Sequence, residues 1–319
     1  MRLEQTSLIL GIPSISTVTF FEGRPDVSAI RKRVAAIIRA NPWLKGRLVK
    51  QSTARSPAPK STGLFCRYPG TNKDDNDDDS LGEDSFTYSK NAAVRSSTQY
   101  NTLIKLLSKL VVKKGSQCVD RDESLFKVHV IVGEEDKEFA IIVSLSHIIA
   151  DGSTFYSLYG MLSQTASVES LVAARFDGFE DKLKEMMRGN DTLKWVLSPG
   201  VIINIIRTLI FTPKVHFSLV DLDSRWIADE KRRLSTASSF VSTNDVLTSW
   251  YLSLLSNCDV GLMAMNFRNR MPEIGSEHAG NYEALLGLQK ADMADAQYLD
   301  FVAPSLVLSP LSGRRLLET

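Results

Sequence analysis

The spacing of apolar residues changes within the first fifty positions, and this change predicts the first elements of the fold. Residues 16–21 alternate as a strand does, up to a turn at residues 23–25. Asp26 then precedes a set of apolar residues at helical spacing, Ile30, Val34, Ile37 and Ile38. The pattern predicts a strand, followed by a helix that Asp26 caps and that the Asn41-Pro42 pair ends.

The strongest strand signal lies in the middle of the chain. Residues 125–132 and 138–145 are apolar runs joined by the polar turn 133–137, which predicts a hairpin. The second run is nearly all apolar, as expected of a strand that is covered on both faces. We therefore expect strand 138–145 to lie centrally in a sheet, and a helix with Ser153 as its N-cap to follow it.

A polar and acidic stretch separates these two regions. Residues 52–99 are rich in Ser, Pro, Gly and Asn, and residues 74–84 contain seven acidic side chains. This composition predicts a disordered acidic insertion at the surface, and binding of a basic partner is the alternative. Beyond the insertion, the apolar spacing predicts a helix over residues 101–114.

The C-terminal half is less regular. Residues 176–239 show no clear period and are expected to form a crossover segment. Thr243 is the predicted N-cap of a further helix, and residues 260–267 are expected to form a strand. Strands and helices interspersed in this way indicate a mixed α/β protein.

Composition and charge exclude several classes of protein. The chain has 319 residues, of which 43% are hydrophobic, and this is enough for a sizeable core. Its 38 Lys and Arg nearly balance its 37 Asp and Glu, so we expect no nucleic-acid partner. Cys66, Cys118 and Cys258 lack C-x-x-C spacing, and their odd number suits reduced thiols rather than disulfides or a structural metal. We therefore expect a cytoplasmic protein.

One apolar segment raises the question of a membrane. Residues 196–211 are rich in Ile, but Pro199, Asn204 and Arg207 interrupt them, and a spanning helix needs ~20 mostly apolar residues. We expect no transmembrane span and favour a buried or interfacial helix, which leaves peripheral membrane contact open. The N-terminal residues lack the long apolar core of a signal peptide.

Candidate chemistry is concentrated where the predicted central strand ends. His147 follows that strand, at an edge of the sheet where α/β proteins often build their sites. An imidazole there can act as a general base near neutral pH. Asp151 and Gly152 come next, and the glycine predicts a tight turn that holds the loop. The alternative is a core histidine satisfied by backbone groups, with Asp151 serving only as a helix cap.

A metal site is a second interpretation of His147. It needs additional ligands, and the remaining histidines are scattered along the chain, with His129 on a predicted strand and His216 and His278 in polar loops. We therefore expect no metal.

Residues His147 to Gly152 resemble the H-x-x-x-D-G motif of the chloramphenicol acetyltransferase-like superfamily. Further stretches resemble segments of its BAHD-type O-acyltransferases, in the same order along the chain: residues 41–48, 242–250 and 266–272, then Gly280-Asn281. The resemblance implies two lobes of mixed sheets with flanking helices, which meet at a cleft near His147. It implies an N-terminal acyltransferase lobe at 1–175, the crossover at 176–239 and a partial C-terminal lobe at 240–319.

The same resemblance implies an activity. An acyl group would pass directly from acyl-CoA, the co-substrate, to a small alcohol or, less often, an amine, with no permanently bound cofactor. His147 would take the proton of the acceptor and later protonate the departing thiolate. Asp151, Gly152 and Arg268 would support the site. Arg268 is the expected partner of Asp151, and Arg270 is the second candidate. Without the motif, Arg268 would be interpreted as a solvated loop arginine.

The sequence also departs from the pattern of this superfamily. The late D-F-G-W-G motif is absent, since residues 300–304 begin similarly but lack its glycines and tryptophan, and the chain stops at Thr319. We therefore expect an incomplete second lobe. This leaves two alternatives, a truncated and catalytically silent protein that binds an acyl thioester or a protein, and a condensation-type domain that uses carrier-bound thioesters. Ser146 stands where wax-ester synthases favour a first histidine, which disfavours that subgroup.

Overall fold

Two compact units divide the chain. The first comprises Met1–Arg175 and Ile274–Tyr282, and the second comprises Phe176–Glu273 and Glu283–Thr319. The computed structural model describes residues 10–51, 63–68, 84–133, 137–186, 198–200, 203, 207, 222–235, 240–254 and 260–289. A short segment from late in the chain thus belongs to the first unit, where it packs near the motif that begins at His147.

The strands of the first unit form two sheets. They are β1 (Ile15–Glu22), β2 (Arg47–Gln51), β3 (Gly63–Arg67), β4 (Phe86–Lys90), β5 (Phe126–Val132) and β6 (Glu138–Leu145). The larger sheet has the order β1-β6-β5-β4, in which β6 is antiparallel to both neighbours and β4 is parallel to β5. The predicted hairpin and the central position of the strand over 138–145 are confirmed.

Helices pack against the strands of the two sheets. They are α1 (Val27–Ala40), α2 (Tyr100–Leu107), α3 (Gly115–Cys118) and α4 (Gly152–Gly160), with a 3-10 turn at Pro42–Lys45 after α1. The side chain of Asp26 accepts the N–H of Ala29 at 2.9 Å, which confirms the predicted N-cap. One apolar cluster joins α1 and α4 to residues such as Val128 and Val143, and a second joins α2 to Ile131 and Ile142. Alternate residues of β5 and β6 therefore enter different clusters, as a sheet buried on both faces requires.

Helix α2 is shorter than predicted. The apolar spacing extends to residue 114, but the helix ends at Leu107. The N–H of Leu110 donates to the carbonyl oxygen of Leu107, a tighter turn than an α-helix makes, and the N–H of Val112 donates to Ser144 Oγ at 2.9 Å. Tertiary hydrogen bonding to β6 therefore replaces the last predicted helical turns.

The prediction of disorder across residues 52–99 is wrong where the structure describes them. Strand β3 pairs with β2, and β4 pairs with β5 at the edge of the larger sheet. Each strand has five residues, and each contributes apolar side chains to the core, Leu64 and Cys66 from β3 and Phe86 from β4. These short runs are obscured by the polar composition around them. The acidic residues 74–83 lie outside the described residues.

The second unit contains helices α5 (Phe179–Met186), α6 (Ser224–Leu234) and α7 (Thr243–Ser253), and strands β7 (Val260–Asn266) and β8 (Glu283–Gln289). Strands β7 and β8 are antiparallel. The N-cap of α7 is Ser242 rather than the predicted Thr243, because Ser242 and Asp245 form a capping box in which each side chain accepts the backbone N–H of the other. The predicted crossover includes α5 and α6.

The apolar segment at residues 196–211 raised the question of a membrane span. Most of residues 196–211 lie outside the described part of the chain, and within that part no helix is long and apolar enough to cross a membrane.

Cys66 and Cys118 are buried and are not joined in a disulfide, whereas Cys258 lies outside the described residues. Burial raises the pKa of the Cys66 thiol to about 11, so this thiol stays protonated at neutral pH and is a poor nucleophile.

We expect His129 to make the stability of the first unit sensitive to acid. Its Nε2 lies 2.9 Å from Ser89 Oγ and its Nδ1 contacts Thr87 Oγ1, both across the β4–β5 pair. Burial, and secondarily the charge of Lys127, lower the pKa of His129 below its ordinary value of 6.5. The unfolded chain therefore binds a proton at this residue at a pH where the folded chain does not, and the free energy of unfolding falls as pH drops below that value.

Replacement of His129 by glutamine is expected to reduce this acid sensitivity. Glutamine can hydrogen-bond to a neighbouring hydroxyl but does not titrate. Urea unfolding of both proteins at about pH 7.5 and pH 5.5 should give a smaller loss of unfolding free energy for the variant. Equal losses in the two proteins would show that His129 does not contribute to the acid sensitivity.

Candidate active site

His147 lies just beyond the end of β6, in the turn that connects this strand to α4. The turn is closed by hydrogen bonds from Ser146 N–H to the carbonyl oxygen of Leu125, at 2.8 Å, and from Ile149 N–H to that of Ser146, at 3.2 Å. Residues 146 and 148–151 are buried, whereas His147 is partly exposed. The structure thus disfavours the alternative of a core histidine. The exposed surface of His147 belongs to other atoms of the side chain, because its Nδ1 is buried.

Asp151 is the N-cap of α4. Its Oδ1 accepts the N–H of Thr154 at 2.9 Å and its Oδ2 accepts the N–H of Tyr282 at 3.0 Å. The residue is only 1% exposed. The predicted cap at Ser153 is wrong by two residues: Asp151 has the extended backbone of a cap, whereas Ser153 already lies within the helix. A carboxylate at a helix N-terminus also interacts favourably with the helix dipole.

Segment 274–282, the second part of the connection between β7 and β8, packs beside this turn. The N–H of Val172 donates to the carbonyl oxygen of Glu277 and the N–H of Ala279 donates to that of Val172, both at 2.9 Å. The Arg175 guanidinium donates to the carbonyl oxygen of Asn281 at 3.4 Å and lies 5.9 Å from the ring centroid of Tyr282. The segment is therefore fixed to the loop at 172–175 as well as to the motif.

Gly280 has a backbone conformation that glycine favours, with φ of +134°. Its N–H donates to Thr154 Oγ1 at 3.1 Å, and its carbonyl oxygen accepts from the Thr154 hydroxyl at 3.2 Å and from the N–H of Asp151 at 3.3 Å. By contrast, Gly152 is the first residue of α4 and does not have positive φ. The predicted tight turn is present at residues 147–149, but Gly152 does not adopt a conformation that requires glycine, whereas Gly280 does.

Asn281 joins the same segment to the backbone of His147. Its Nδ2 lies 2.8 Å from the carbonyl oxygen of His147 and 3.3 Å from that of Ile148. The sequence places Asn281 in the G-N stretch but indicates no role for it. The contact spans more than 130 positions of the chain, and no local pattern could have indicated it.

Gly115, the first residue of α3, packs against Ile148 in the motif. A Cβ atom at position 115 would overlap Ile148 Cδ1 and lie only 2.6 Å from its Cγ1. Ile148 is 2% exposed, so it has little room to move. We expect Gly115→Ala to reduce the free energy of unfolding by about 1–3 kcal/mol through overpacking, measured by urea unfolding.

Two variants control this prediction. A Cβ at Gly152 would meet no atom within 4 Å, so Gly152→Ala should leave stability unchanged or raise it by up to ~1 kcal/mol. In Gly115→Ala with Ile148→Val, the loss of Cδ1 should restore part of the stability lost by the single Gly115 variant. An unaltered unfolding midpoint in Gly115→Ala would contradict the predicted clash.

Arg268 lies in the second unit, just after β7. It is 5% exposed, so it is not the solvated loop arginine of the alternative interpretation. Its guanidinium donates to Asn266 Oδ1 at 3.0 Å. Asn269, the next residue, has positive φ within a turn in which the N–H of Arg270 donates to the carbonyl oxygen of Phe267. The pairing of Arg268 with Asp151 stays a prediction.

Metal-binding geometry is not found in the described part of the chain, where no three ligating side chains cluster. The imidazole of His129 contacts two hydroxyl groups, and His278 Nδ1 accepts the N–H of Gly275 at 3.1 Å. His216 lies outside the described residues.

Solved structures share this architecture. The first condensation domain of the calcium-dependent antibiotic synthetase, solved with a substrate analogue, gives a TM-score of 0.54 at 10% identity and covers 96% of this chain and 76% of its own. TRI101 of F. graminearum, solved with coenzyme A and deoxynivalenol, gives 0.51 at 12% identity, with 94% of this chain and 73% of its own covered. The chain has the chloramphenicol acetyltransferase-like fold.

The condensation domain of the monacolin K polyketide synthase MokA has the acetyltransferase-like fold as well, with a TM-score of 0.51 at 11% identity over 93% of this chain and 68% of its own. No model of a protein family matches the sequence, and no curated protein does. The fold predicted from the resemblance is thus confirmed. Because the identities are only 10–12%, these similarities establish the fold and not the function.

Proposed function

We propose that this protein is an acyltransferase that moves an acyl group from acyl-CoA to an alcohol, or less readily to an amine, with His147 as general base. The observation that carries the proposal is the placement of His147. It is a partly exposed histidine in an otherwise buried turn, at the end of the central strand of an acetyltransferase-like fold. TRI101, which shares this fold, was solved with coenzyme A and deoxynivalenol, and this supports coenzyme A as the carrier of the acyl group here.

The proposed reaction has one histidine acting twice. The imidazole accepts the proton of the acceptor hydroxyl as its oxygen bonds to the thioester carbonyl carbon. The tetrahedral intermediate then collapses, the carbon–sulfur bond breaks, and the departing thiolate takes the proton from the imidazolium. The products are an ester and coenzyme A. Because no bond forms between the acyl group and the protein, binding both substrates together supplies the favourable orientation.

We assign the base to Nε2 of His147. Nδ1 is buried, so the other ring nitrogen is the one available to an acceptor hydroxyl. The neutral ring can hold a proton on one nitrogen and accept on the other. The tautomer with the proton on Nδ1 is therefore the reactive one in this proposal.

Asp151 and Gly152 have supporting roles in the proposal. Both carboxylate oxygens of Asp151 accept backbone N–H groups, so this side chain organises the turn and takes no part in proton transfer. Gly152 leaves open space beside the first turn of α4. We retain Arg268 as the proposed partner of Asp151, in keeping with its burial.

A condensation-type reaction with a carrier-bound thioester is the second candidate. It is favoured by the similarity to the synthetase condensation domain, which has a TM-score of 0.54. The histidine would have the same role in both reactions, and only the donor would differ. The two candidates are therefore distinguished by the donor and not by the proposed base.

The donor can be identified directly. The purified chain is given an acceptor alcohol together with either acyl-CoA or the same acyl group on a phosphopantetheinyl carrier protein, and ester is quantified by mass spectrometry. The proposal predicts ester from acyl-CoA and none in a reaction lacking the alcohol. Ester from the carrier-bound donor alone would favour the second candidate. If neither donor yields ester across a panel of primary and secondary alcohols, nor amide across a panel of amines, the acyltransferase proposal is wrong. Binding of acyl-CoA without turnover would then favour the silent thioester-binding alternative.

A further inference from the structure

One buried amide contacts the carbonyl oxygens of two successive peptide bonds, the one that follows His147 and the one that follows Ile148. Asn281 Nδ2 lies 2.8 Å from the carbonyl oxygen of His147 and 3.3 Å from that of Ile148. An amide NH2 group has two hydrogens, so it can satisfy both acceptors at once. We propose that Asn281 is a positioning residue that fixes the backbone of His147, and thereby its imidazole, for the transfer step. This inference rests on the proposed function.

The oxygen of the same amide argues for a role beyond stability. Asn281 is 4% exposed, and its Oδ1 is buried with no hydrogen-bond partner among the described residues. A buried acceptor without a donor destabilises a fold, and such groups in native proteins call for an explanation. Asn281 supplies two donors to adjacent carbonyl oxygens at the motif, and this function accounts for an asparagine here despite the energetic cost of burying its Oδ1.

The residues on either side of Asn281 are held by hydrogen bonds. Its neighbours in segment 274–282 are bound to the first turn of α4, through Gly280 to Thr154 and through Tyr282 to Asp151. Arg175 binds the carbonyl oxygen of Asn281 itself. Because the backbone of residues 280–282 is fixed in this way, the side chain of Asn281 can hold the loop at His147 in place.

Asn41 provides a matched comparison within the same unit. It is fully buried, and its Nδ2 also donates to two carbonyl oxygens, those of Ile37 at 3.1 Å and Glu169 at 2.9 Å. Its Oδ1, unlike that of Asn281, is satisfied by the N–H of Leu171 at 2.9 Å. Asn41 thus fastens a loop by the same chemistry, but to backbone groups outside the motif at His147.

The test compares Asn281→Ala and Asn41→Ala with the wild-type chain. Three quantities are measured: the unfolding midpoint, kcat and KM for acyl-CoA at a temperature where each variant is folded, and the imidazole signals of His147 by NMR without substrate. Those signals are assigned by their loss in His147→Gln. If Asn281→Ala does not fold, Asn281→Ser takes its place, because a serine hydroxyl has one hydrogen and cannot donate to both carbonyls.

Both alanine variants should unfold more easily than wild type. Only Asn281→Ala should lower kcat, by about 10²-fold, since a displacement of ~1 Å has this effect on a reacting group. KM for acyl-CoA should stay within about twofold, because the change is in positioning and not in ground-state binding. The His147 signals should shift or broaden in Asn281→Ala and stay unchanged in Asn41→Ala.

Two outcomes would overturn the proposed role of Asn281. One is wild-type kcat and wild-type His147 signals in the folded Asn281 variant, and another is an equal fall of kcat in Asn41→Ala. If the wild-type chain itself forms no ester, the proposed function fails, and the NMR comparison still decides whether Asn281 positions the ring.

Discussion

Replacement of His147 by glutamine is expected to lower kcat/KM for release of the coenzyme A thiol by about 10²–10⁴-fold, the contribution usual for a general base. Glutamine keeps the polarity of the side chain but cannot take up a proton near neutral pH. The residue is partly exposed, so the fold should tolerate the change. Thiol release is followed with a chromogenic disulfide reagent at saturating alcohol, and the unfolding midpoint is recorded alongside.

His129→Gln is the matched control for this prediction. His129 belongs to the same unit, but it bonds to Thr87 and Ser89 of β4 and lies outside the motif. The His129→Gln variant should retain a kcat/KM within about twofold of the wild-type value at neutral pH. Thiol release by His147→Gln at the wild-type rate, from protein shown to be folded, would remove His147 from the reaction.

Replacement of Asp151 by alanine is expected to reduce the free energy of unfolding by about 2–4 kcal/mol. Loss of an N-cap costs ~1 kcal/mol, and a buried N–H left without an acceptor, here that of Tyr282, costs ~1–3 kcal/mol more. Because the side chain is almost wholly buried, water is poorly placed to replace the carboxylate. Urea unfolding at pH 7 measures the effect.

Asp26→Ala separates the two contributions. Asp26 is also an N-cap aspartate of the first unit, but its bond to the N–H of Ala29 is exposed to solvent. Its replacement should cost about 1 kcal/mol or less. Equal losses for Asp26→Ala and Asp151→Ala would show that the bond from Asp151 to the segment at Tyr282 adds nothing to stability.

The elements predicted well from the sequence are those with long uninterrupted patterns. The hairpin of β5 and β6 is evident because two apolar runs flank a polar turn, and α1 because Asp26 precedes a regular apolar stripe. Strands β3 and β4 were missed since five residues within a polar region carry too short a pattern. The first turn of α4 was misplaced because Asp151 and Ser153 are both good N-caps, and only the backbone conformation distinguishes them.

The sequence predicts those features of the site that arise from neighbouring residues along the chain. The position of His147 follows from the strand that precedes it, and this could be inferred along the chain. Docking of segment 274–282 could not, because contacts between Asp151 and Tyr282 or between His147 and Asn281 join distant parts of the sequence. A hydrophobic period gives no information about such polar contacts, which depend on tertiary packing.

The most direct test of the central claim, that the ring of His147 is the base, is rescue of His147→Gly by free imidazole. Ester formation from acyl-CoA and alcohol is measured by mass spectrometry at increasing imidazole concentration, with the wild-type chain in parallel. We expect His147→Gly to be nearly inactive alone and to recover in proportion to the neutral imidazole present, while wild type does not respond. Ester formation by His147→Gly at the wild-type rate without imidazole would contradict this claim.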